Sequence, residues 1–446
     1  MFTLYSALLT VAFVILSPRF LLDALRHGKY AAGFWQRMGY LPEFDAKFHE
    51  EGKPVIWLHC VSVGETQAAR PVVDALIKNF PNHKIVVSTI TKTGQELART
   101  LFAGKVERVF YFPFDWKFAV RRALKAVKPQ AVLLVETELW FNFLREAHHD
   151  GVKIAIVNGR LSEKSVNRYS WIAKFMQRVL HYVDLALMQT AEDAGRIREL
   201  GIKNSRIRVT GNVKFDHSID EKENALTGEF RSRFVLSEAA PLIVAASTHE
   251  PEEKIILKAF TILRNSPENP PLYSKARLLI APRHPERFAE VANLIDDAGF
   301  TCVKRSASAG IGDEIADVIL LDSIGELRAV YPLAEVVFVG GSLIPHGGQN
   351  ILEPAAARKA VVTGPYTMNF AAITDEFVAN KALVQLPQID EKLMPEKLAA
   401  AIASLLQDPE TRALLAGNAF ALMQANSGAT KKTINYLKPL LEKISD

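Results

Sequence analysis

From Pro54 onward the chain repeats one pattern: a short run rich in Val, Ile and Leu, then a longer amphipathic stretch. The runs fall at 55–59, 84–89, 108–112, 131–136, 153–157, 185–188 and 206–210, with helical periodicity between them, as at 68–79, 94–101 and 191–200. Such alternation predicts parallel strands covered by helices on both faces. A polar stretch, 216–229, interrupts it, and the pattern resumes with runs at 242–246, 276–281, 318–321, 336–339, 360–362 and 383–385. With 446 residues the chain exceeds one ordinary core. We therefore expect an α/β protein of two doubly wound, Rossmann-like domains, 21–215 and 241–446, joined by a linker at 216–240. The final helical stretch, 410–444, can pack back on the first domain.

Residues 1–17 are almost wholly apolar and carry no basic residue ahead of the apolar run. No small-residue cleavage pattern comes after it, which argues against a cleaved signal peptide. The run is short for a span, which needs about 20 residues. Arg19, Arg26 and Lys29 come next, so the positive-inside rule places the remainder in the cytoplasm. Residues 1–20 are thus expected to anchor the protein to a membrane, spanning it or lying in its interface. Lys117, Arg121, Arg122, Lys125 and Lys128 form a basic run free of acids. Either run can be a plain solvated helix face, but both lying in the first half favours an anionic surface or acidic substrate. The net charge of +5 is too mild to indicate nucleic acid. Cys60 and Cys302 are the only cysteines and stand far apart, which excludes a disulfide framework and fits a reducing compartment.

Ligands of doubly wound sheets bind beyond the carboxyl ends of the strands, so the residues just after each apolar run matter most. The run 336–339 leads into Gly340-Gly341-Ser342 and then His346-Gly347-Gly348-Gln349-Asn350-Ile351-Leu352-Glu353-Pro354. Its glycines allow close backbone approach, Asn350 can start a helix whose N–H groups suit an anion, and Glu353 can accept from ribose hydroxyls. The glycines alone would suit any strand-to-helix loop; the Asn-x-x-Glu-Pro continuation favours a nucleotide. Elsewhere the strand ends carry Ser62-Val63-Gly64-Glu65, Glu136-Thr137-Glu138-Leu139-Trp140, Gly211-Asn212-Val213-Lys214-Phe215, Ser247-Thr248-His249-Glu250-Pro251-Glu252-Glu253 and Pro282-Arg283-His284. Glu65 reads equally as a helix-capping acid and as an ionised base at a positive helix end. His249 and His284 lack metal-ligand spacing and thiolate companions, so no metal is expected.

Taken in order, these motifs resemble the Kdo transferases, which attach 3-deoxy-D-manno-octulosonic acid to lipid A precursor in lipopolysaccharide synthesis. The resemblance covers almost the whole chain. It implies the GT-B fold, with two facing doubly wound domains and an N-terminal membrane anchor at the cytoplasmic face of the inner membrane. It also implies CMP-Kdo as co-substrate, lipid A precursor as acceptor, and no cofactor. By the same resemblance Glu65 is the general base, Glu136 a site acid with Glu138 secondary, and Lys214 a counter-charge for phosphate or the Kdo carboxylate. CMP contacts are implied for Pro282, Arg283, Ile324, Gly325, Glu326, Asn350, Ile351, Leu352 and Glu353. The residues alone make Ile324–Glu326 an ordinary helix start. Gln349 departs from the histidine expected there in many members, so it is given no catalytic role. Three rival readings are a GT-B transferase using a UDP-sugar, a nucleotide-sugar 2-epimerase and a noncatalytic membrane scaffold. The apolar N-terminus disfavours the second and the polar strand ends the third.

Overall fold

The computed structural model describes residues 1–27, 33–216, 221–236 and 240–442, with backbone alone at 16–27, 164, 170 and 221–223. It contains two wholly parallel seven-stranded sheets, ordered β3-β2-β1-β4-β5-β6-β7 and β10-β11-β9-β8-β12-β13-β14. The first comprises β1 (Val55–His59), β2 (Lys84–Thr89), β3 (Arg108–Tyr111), β4 (Pro129–Val135), β5 (Lys153–Gly159), β6 (Leu185–Met188) and β7 (Ile207–Val209). The second comprises β8 (Leu242–Thr248), β9 (Arg277–Pro282), β10 (Cys302–Lys304), β11 (Val318–Leu320), β12 (Val336–Val339), β13 (Ala360–Thr363) and β14 (Val384–Gln385). Each order reverses about its first strand, the arrangement that opens a crevice at the carboxyl ends. The central strands β1 and β4 are buried on both faces, which is why they read as continuous apolar runs rather than alternating ones. Strand β10, with its half-exposed Cys302-Val303-Lys304, carries too weak an apolar signal to have been expected.

The chain divides into two compact units, Met1–Asp216 with Asn426–Asp446, and His217–Ala425. In the first unit the closing helix Ala429–Leu441 buries Ile434, Leu437 and Leu441 beside Val72 and Leu76 of the helix Val63–Asn79. Its start is fixed by Asp216, whose carboxylate accepts from the backbone of Gly428 and Thr430. The segment 216–240 is not the plain linker expected from its polarity: it carries the helix Glu221–Arg233, and Arg233 there pairs with Asp313 at 2.8 Å.

The N-terminal apolar stretch forms the helix Phe2–His27, longer than the 1–20 expected. It docks on the first unit instead of standing apart as a separable anchor. Tyr5 donates to the buried Asp115 at 2.9 Å, Phe2 meets Phe175 edge-on at 5.0 Å, and Phe13 meets Trp116 at 4.9 Å. Leu4, Leu8, Val11 and Ile15, spaced along the opposite face, are more than half exposed. Among the described residues no helix is long and apolar enough to cross a membrane, so the spanning form of the anchor has no support here. The side chains of Arg19, Arg26 and Lys29 lie outside the described part. In the basic run 117–128, Arg121 is not free but pairs with Glu146 at 2.5 Å.

Candidate active site

In the first unit the site is built at the carboxyl ends of β1, β4 and β5. After β1 the chain turns through Cys60 and Val61, and Ser62 caps the helix Val63–Asn79. Glu65 occupies the first turn of that helix, almost fully buried. One carboxylate oxygen accepts from the Val61 N–H at 2.7 Å and the other from the Ser62 hydroxyl at 3.0 Å. Burial raises its pKa from 4.5 to about 7. The two hydrogen bonds oppose that rise, while the charges of Glu136 and Glu138 reinforce it. A carboxyl group poised near neutrality can both exist as the base and hold a proton once taken.

Glu136 directly follows β4 and takes a left-handed backbone, φ 60°. On the adjacent strand Asn158 does the same, at φ 55°. A left-handed residue other than glycine is strained by roughly 1–2 kcal/mol, and such residues gather at functional sites. Glu136 reaches Lys214 at 3.3 Å, both side chains about one-fifth exposed. Lys214 lies on the short turn Val213–Phe215, held in two places. Asn212 accepts from the Lys214 N–H, and Asn158 accepts from the Val213 N–H, each at 3.0 Å. Glu138 is half-buried, and its pKa is raised by burial and by Glu136. Glu65, Glu136, Glu138 and Lys214 therefore form one electrostatic group. Asn158, which orients the Lys214 turn, went unassigned in the sequence. Its only signal is an Asn-Gly pair closing the strand after the apolar run Ile154–Val157.

In the second unit the loops after β8 and β12 are tied together by Glu252, fully buried at the start of the helix Glu252–Asn265. Its carboxylate accepts from the backbone N–H of Gly341 at 2.6 Å, Ser342 at 2.9 Å, Leu343 at 2.8 Å and His249 at 3.0 Å. Burial raises its pKa and these four bonds oppose the rise. Gly340 must be glycine, because a Cβ there would stand 2.8 Å from the Ser247 carbonyl oxygen. Sequence reasoning saw this acid within its motif but gave it no role.

Arg283 comes directly after Pro282, the last residue of β9, and its N–H donates to the Thr248 carbonyl at 3.0 Å. Beside it three imidazoles meet: the His249 ring lies 5.3 Å from that of His284 and 4.1 Å from that of His346. His249 turns Nδ1 to the Ser247 carbonyl at 3.2 Å, and its buried Nε2 has no hydrogen-bond partner among the described residues. Burial, with His346 and His284 next, draws its pKa down to about 4, so it is neutral at physiological pH. Ile324 is exposed and Gly325 is left-handed at φ 88°. Glu326 is already engaged, with both oxygens on Arg305 at 3.0 and 3.1 Å. Burial alone would raise the Glu326 pKa, but Arg305 and Ser323 hold it below the usual range. Asn350 accepts from the Leu352 N–H at 3.0 Å, which starts only a five-residue helix, Leu352–Ala356, with Glu353 on its first turn. The second-unit residues thus come after β9, β11 and β12, all at one end of the sheet. Among the described residues no group of three or more His, Cys, Asp or Glu is arranged to hold a metal ion.

The sequence profile described as "3-Deoxy-D-manno-octulosonic-acid transferase (kdotransferase)" matches residues 32–217. The 3-deoxy-D-manno-octulosonic acid transferase of Haemophilus influenzae is 34% identical, over 87% of this chain and 87% of its own. That of Bordetella pertussis is 31% identical, over 97% of this chain and 98% of its own. Among solved structures, UDP-GlcNAc 2-epimerase from Neisseria meningitidis superposes with a TM-score of 0.55. It covers 86% of this chain and 100% of its own, and at 13% identity it shows the GT-B-like α/β fold alone. Near one-third identity along almost the entire length, together with the profile match, decides the family: the chain belongs to the Kdo transferases, glycosyltransferases of lipopolysaccharide biosynthesis.

Proposed function

We propose that the protein is an inverting glycosyltransferase that moves Kdo from CMP-Kdo to lipid IVA, the lipid A precursor. The observation that carries this reading is the buried Glu65 carboxylate, held by Val61 and Ser62 and brought to a pKa of about 7. Glu65 takes the proton of the acceptor hydroxyl. The freed oxygen bonds to the anomeric carbon of Kdo, the anomeric carbon–oxygen bond to CMP breaks, and the configuration inverts. CMP departs as an anion, and Lys214 and Arg283 are the cations proposed to offset donor charge. Pro282, Ile324, Gly325 and Asn350–Glu353 are proposed to contact CMP. Glu326 would act from within its Arg305 pair, Glu136 would hold Lys214 in place, and no cofactor takes part.

For the membrane we propose an interfacial attachment at the cytoplasmic face of the inner membrane. The exposed stripe Leu4-Leu8-Val11-Ile15 supports it, as does the basic run 117–128, each surface cation near an anionic bilayer being worth about 1 kcal/mol. Mass spectrometry of lipid IVA after incubation with CMP-Kdo tests the reaction. Mass increments of whole Kdo units are expected, and an unmodified acceptor under conditions where the protein is folded overturns the reading.

A further inference from the structure

Beside the Glu65 loop the first unit holds a cavity of about 450 Å³, within the size range of small-molecule sites. Phe34 and Trp35 form one wall, Tyr111 another, and Lys92, Glu96 and Arg99 line it from the helix Lys92–Leu101. Those last three stand at i, i+4 and i+7 and so share one helix face. Lys92 and Glu96 meet only at 4.0 Å with both side chains more than half exposed, a pairing worth little. Arg99 has no ion-pair partner among the described residues. Arg37 lies over the Tyr111 ring at 4.4 Å and donates to the Ile90 carbonyl. The cavity therefore offers cationic groups exceeding its single acid.

Two structural links give this cavity a direction. The first runs to Glu65. Val61, whose N–H donates to Glu65, accepts at its carbonyl from Ile90 and Thr91, each at 3.2 Å. Thr91 caps the helix that begins with Lys92. The cationic face is thus bonded through one residue to the loop that holds the base. The second link runs to the N-terminal helix through aromatic rings in succession. Phe13 lies 5.8 Å from Phe114, Phe114 6.3 Å from Phe34, Phe34 5.6 Å from Trp35, and Trp35 5.7 Å from Tyr40. Trp35 is 66% exposed, far more than a purely structural tryptophan needs.

A cationic hollow at one end and an aromatic ledge at the other suit an amphiphile whose anionic group sits close to its sugar. We propose that this cavity takes the phosphate-bearing sugar of the glycolipid acceptor, with an acyl chain lying along Trp35, Phe34 and Phe114. This rests on the reaction proposed above and adds where its acceptor is gripped. Lys92 and Arg99 bind the phosphate, and the bonds through Val61 set that grip beside Glu65.

The test compares wild type with Lys92→Gln/Arg99→Gln, using lipid IVA and phosphatase-treated lipid IVA in neutral detergent micelles. Transfer from CMP-Kdo and donor-free equilibrium binding are both measured. Loss of charge-assisted hydrogen bonds should raise KM and Kd for lipid IVA roughly 10- to 100-fold while kcat changes little. The dephosphorylated acceptor, already weak on wild type, should bind the variant no worse. Both substituted side chains are exposed, so melting temperature and CMP affinity should stay at wild-type values. An unchanged KM and Kd for lipid IVA, or an equal loss for both acceptors, overturns the assignment. So does a loss confined to acceptor-free phosphatidylglycerol vesicles, which would mark a general membrane patch. A wild type that transfers no Kdo sinks the reaction instead, and the donor-free binding arm still judges the cavity.

Discussion

Replacing Glu65 with Gln separates the helix capping of one carboxylate from the general-base role proposed for it. The amide keeps the size of the acid: its oxygen can accept from the Val61 N–H, and its NH₂ can donate to the Ser62 hydroxyl, which rotates to accept. Capping contacts therefore survive, and the loss of the ionised cap amounts to at most about 1 kcal/mol. A second effect runs the other way. The Glu65 pKa is raised from 4.5 in the unfolded chain to about 7 in the fold, so the native state binds the extra proton between those values. That contribution to stability is complete below 4.5 and is lost as pH rises through 7. At pH 8 the buried anion lowers stability by about 3 kcal/mol, at 1.36 kcal/mol per pKa unit. Gln carries no charge and escapes this. The variant should melt no lower than wild type at pH 8, and the difference should shrink toward pH 4.5. Transfer behaves oppositely. Without a general base it should fall roughly 10²- to 10⁴-fold, with CMP-Kdo affinity nearly intact. Wild-type transfer should climb with pH through about 7 as Glu65 ionises. Calorimetry at the two pH values, paired with a radiolabelled transfer assay, reads both effects. A Gln variant that transfers Kdo at near wild-type rate, with normal melting, refutes the base assignment. One that melts well below wild type at pH 8 refutes the account of the buried charge.

Arg283→Ala should weaken CMP binding roughly 10- to 100-fold by calorimetric titration, and unchanged affinity would remove it from the donor site. Glu252→Ala leaves four buried N–H groups unsatisfied and should destabilise the second unit by several kcal/mol, visible as a lowered denaturant midpoint. Leu4→Glu/Leu8→Glu changes only exposed positions of the N-terminal helix, so vesicle sedimentation should drop while the melting temperature holds; retained sedimentation would discard the interfacial attachment. Deleting residues 1–17 should lower the melting temperature outright, because Phe2 and Tyr5 pack into the first unit.

Local pattern carried most of the fold because parallel strands buried on both faces leave continuous apolar runs. Where burial is partial the signal fails, as at Cys302–Lys304. It also misleads in the other direction: 216–229 is polar enough to pass for a linker, yet it carries the helix Glu221–Arg233, whose Arg233 is anchored by Asp313, 80 positions away. The N-terminal helix shows a related limit. Apolarity marks 1–17 plainly, but that Tyr5 should find Asp115 is a long-range fact with no local trace. At the site, Glu65 and Lys214 were legible because each comes just after a strand end. The electrostatic state of Glu65 was not, since it depends on burial and on acids from β4 distant in sequence. Asn158, Glu252 and the partnerless Nε2 of His249 were beyond reach for the same reason: their meaning lies in which backbone groups arrive from other loops.

The surroundings of Glu65 make capping and the proposed catalysis compatible readings of one residue. A capping acid on an open helix end stays solvated, and its pKa remains that of an ordinary carboxylate or falls. Here the helix Val63–Asn79 begins inside the protein, with β1 behind it, the β2 loop seated on Val61, and Glu136 and Glu138 arriving from β4. The hydrogen bonds from Val61 and Ser62 fix the carboxyl group in position. The burial that comes with them costs the anion its water, and two nearby acids raise that cost further. The same contacts that cap the helix therefore hold a carboxylate which gains from accepting a proton at neutral pH. Lys214 pairs with Glu136, one of those two acids, at 3.3 Å. A carboxyl group that titrates near pH 7, as the proposed general base requires, results from placing a helix start at the carboxyl end of a buried strand with acids on the neighbouring one. The raised pKa is a property of that arrangement of elements and not of the glutamate alone.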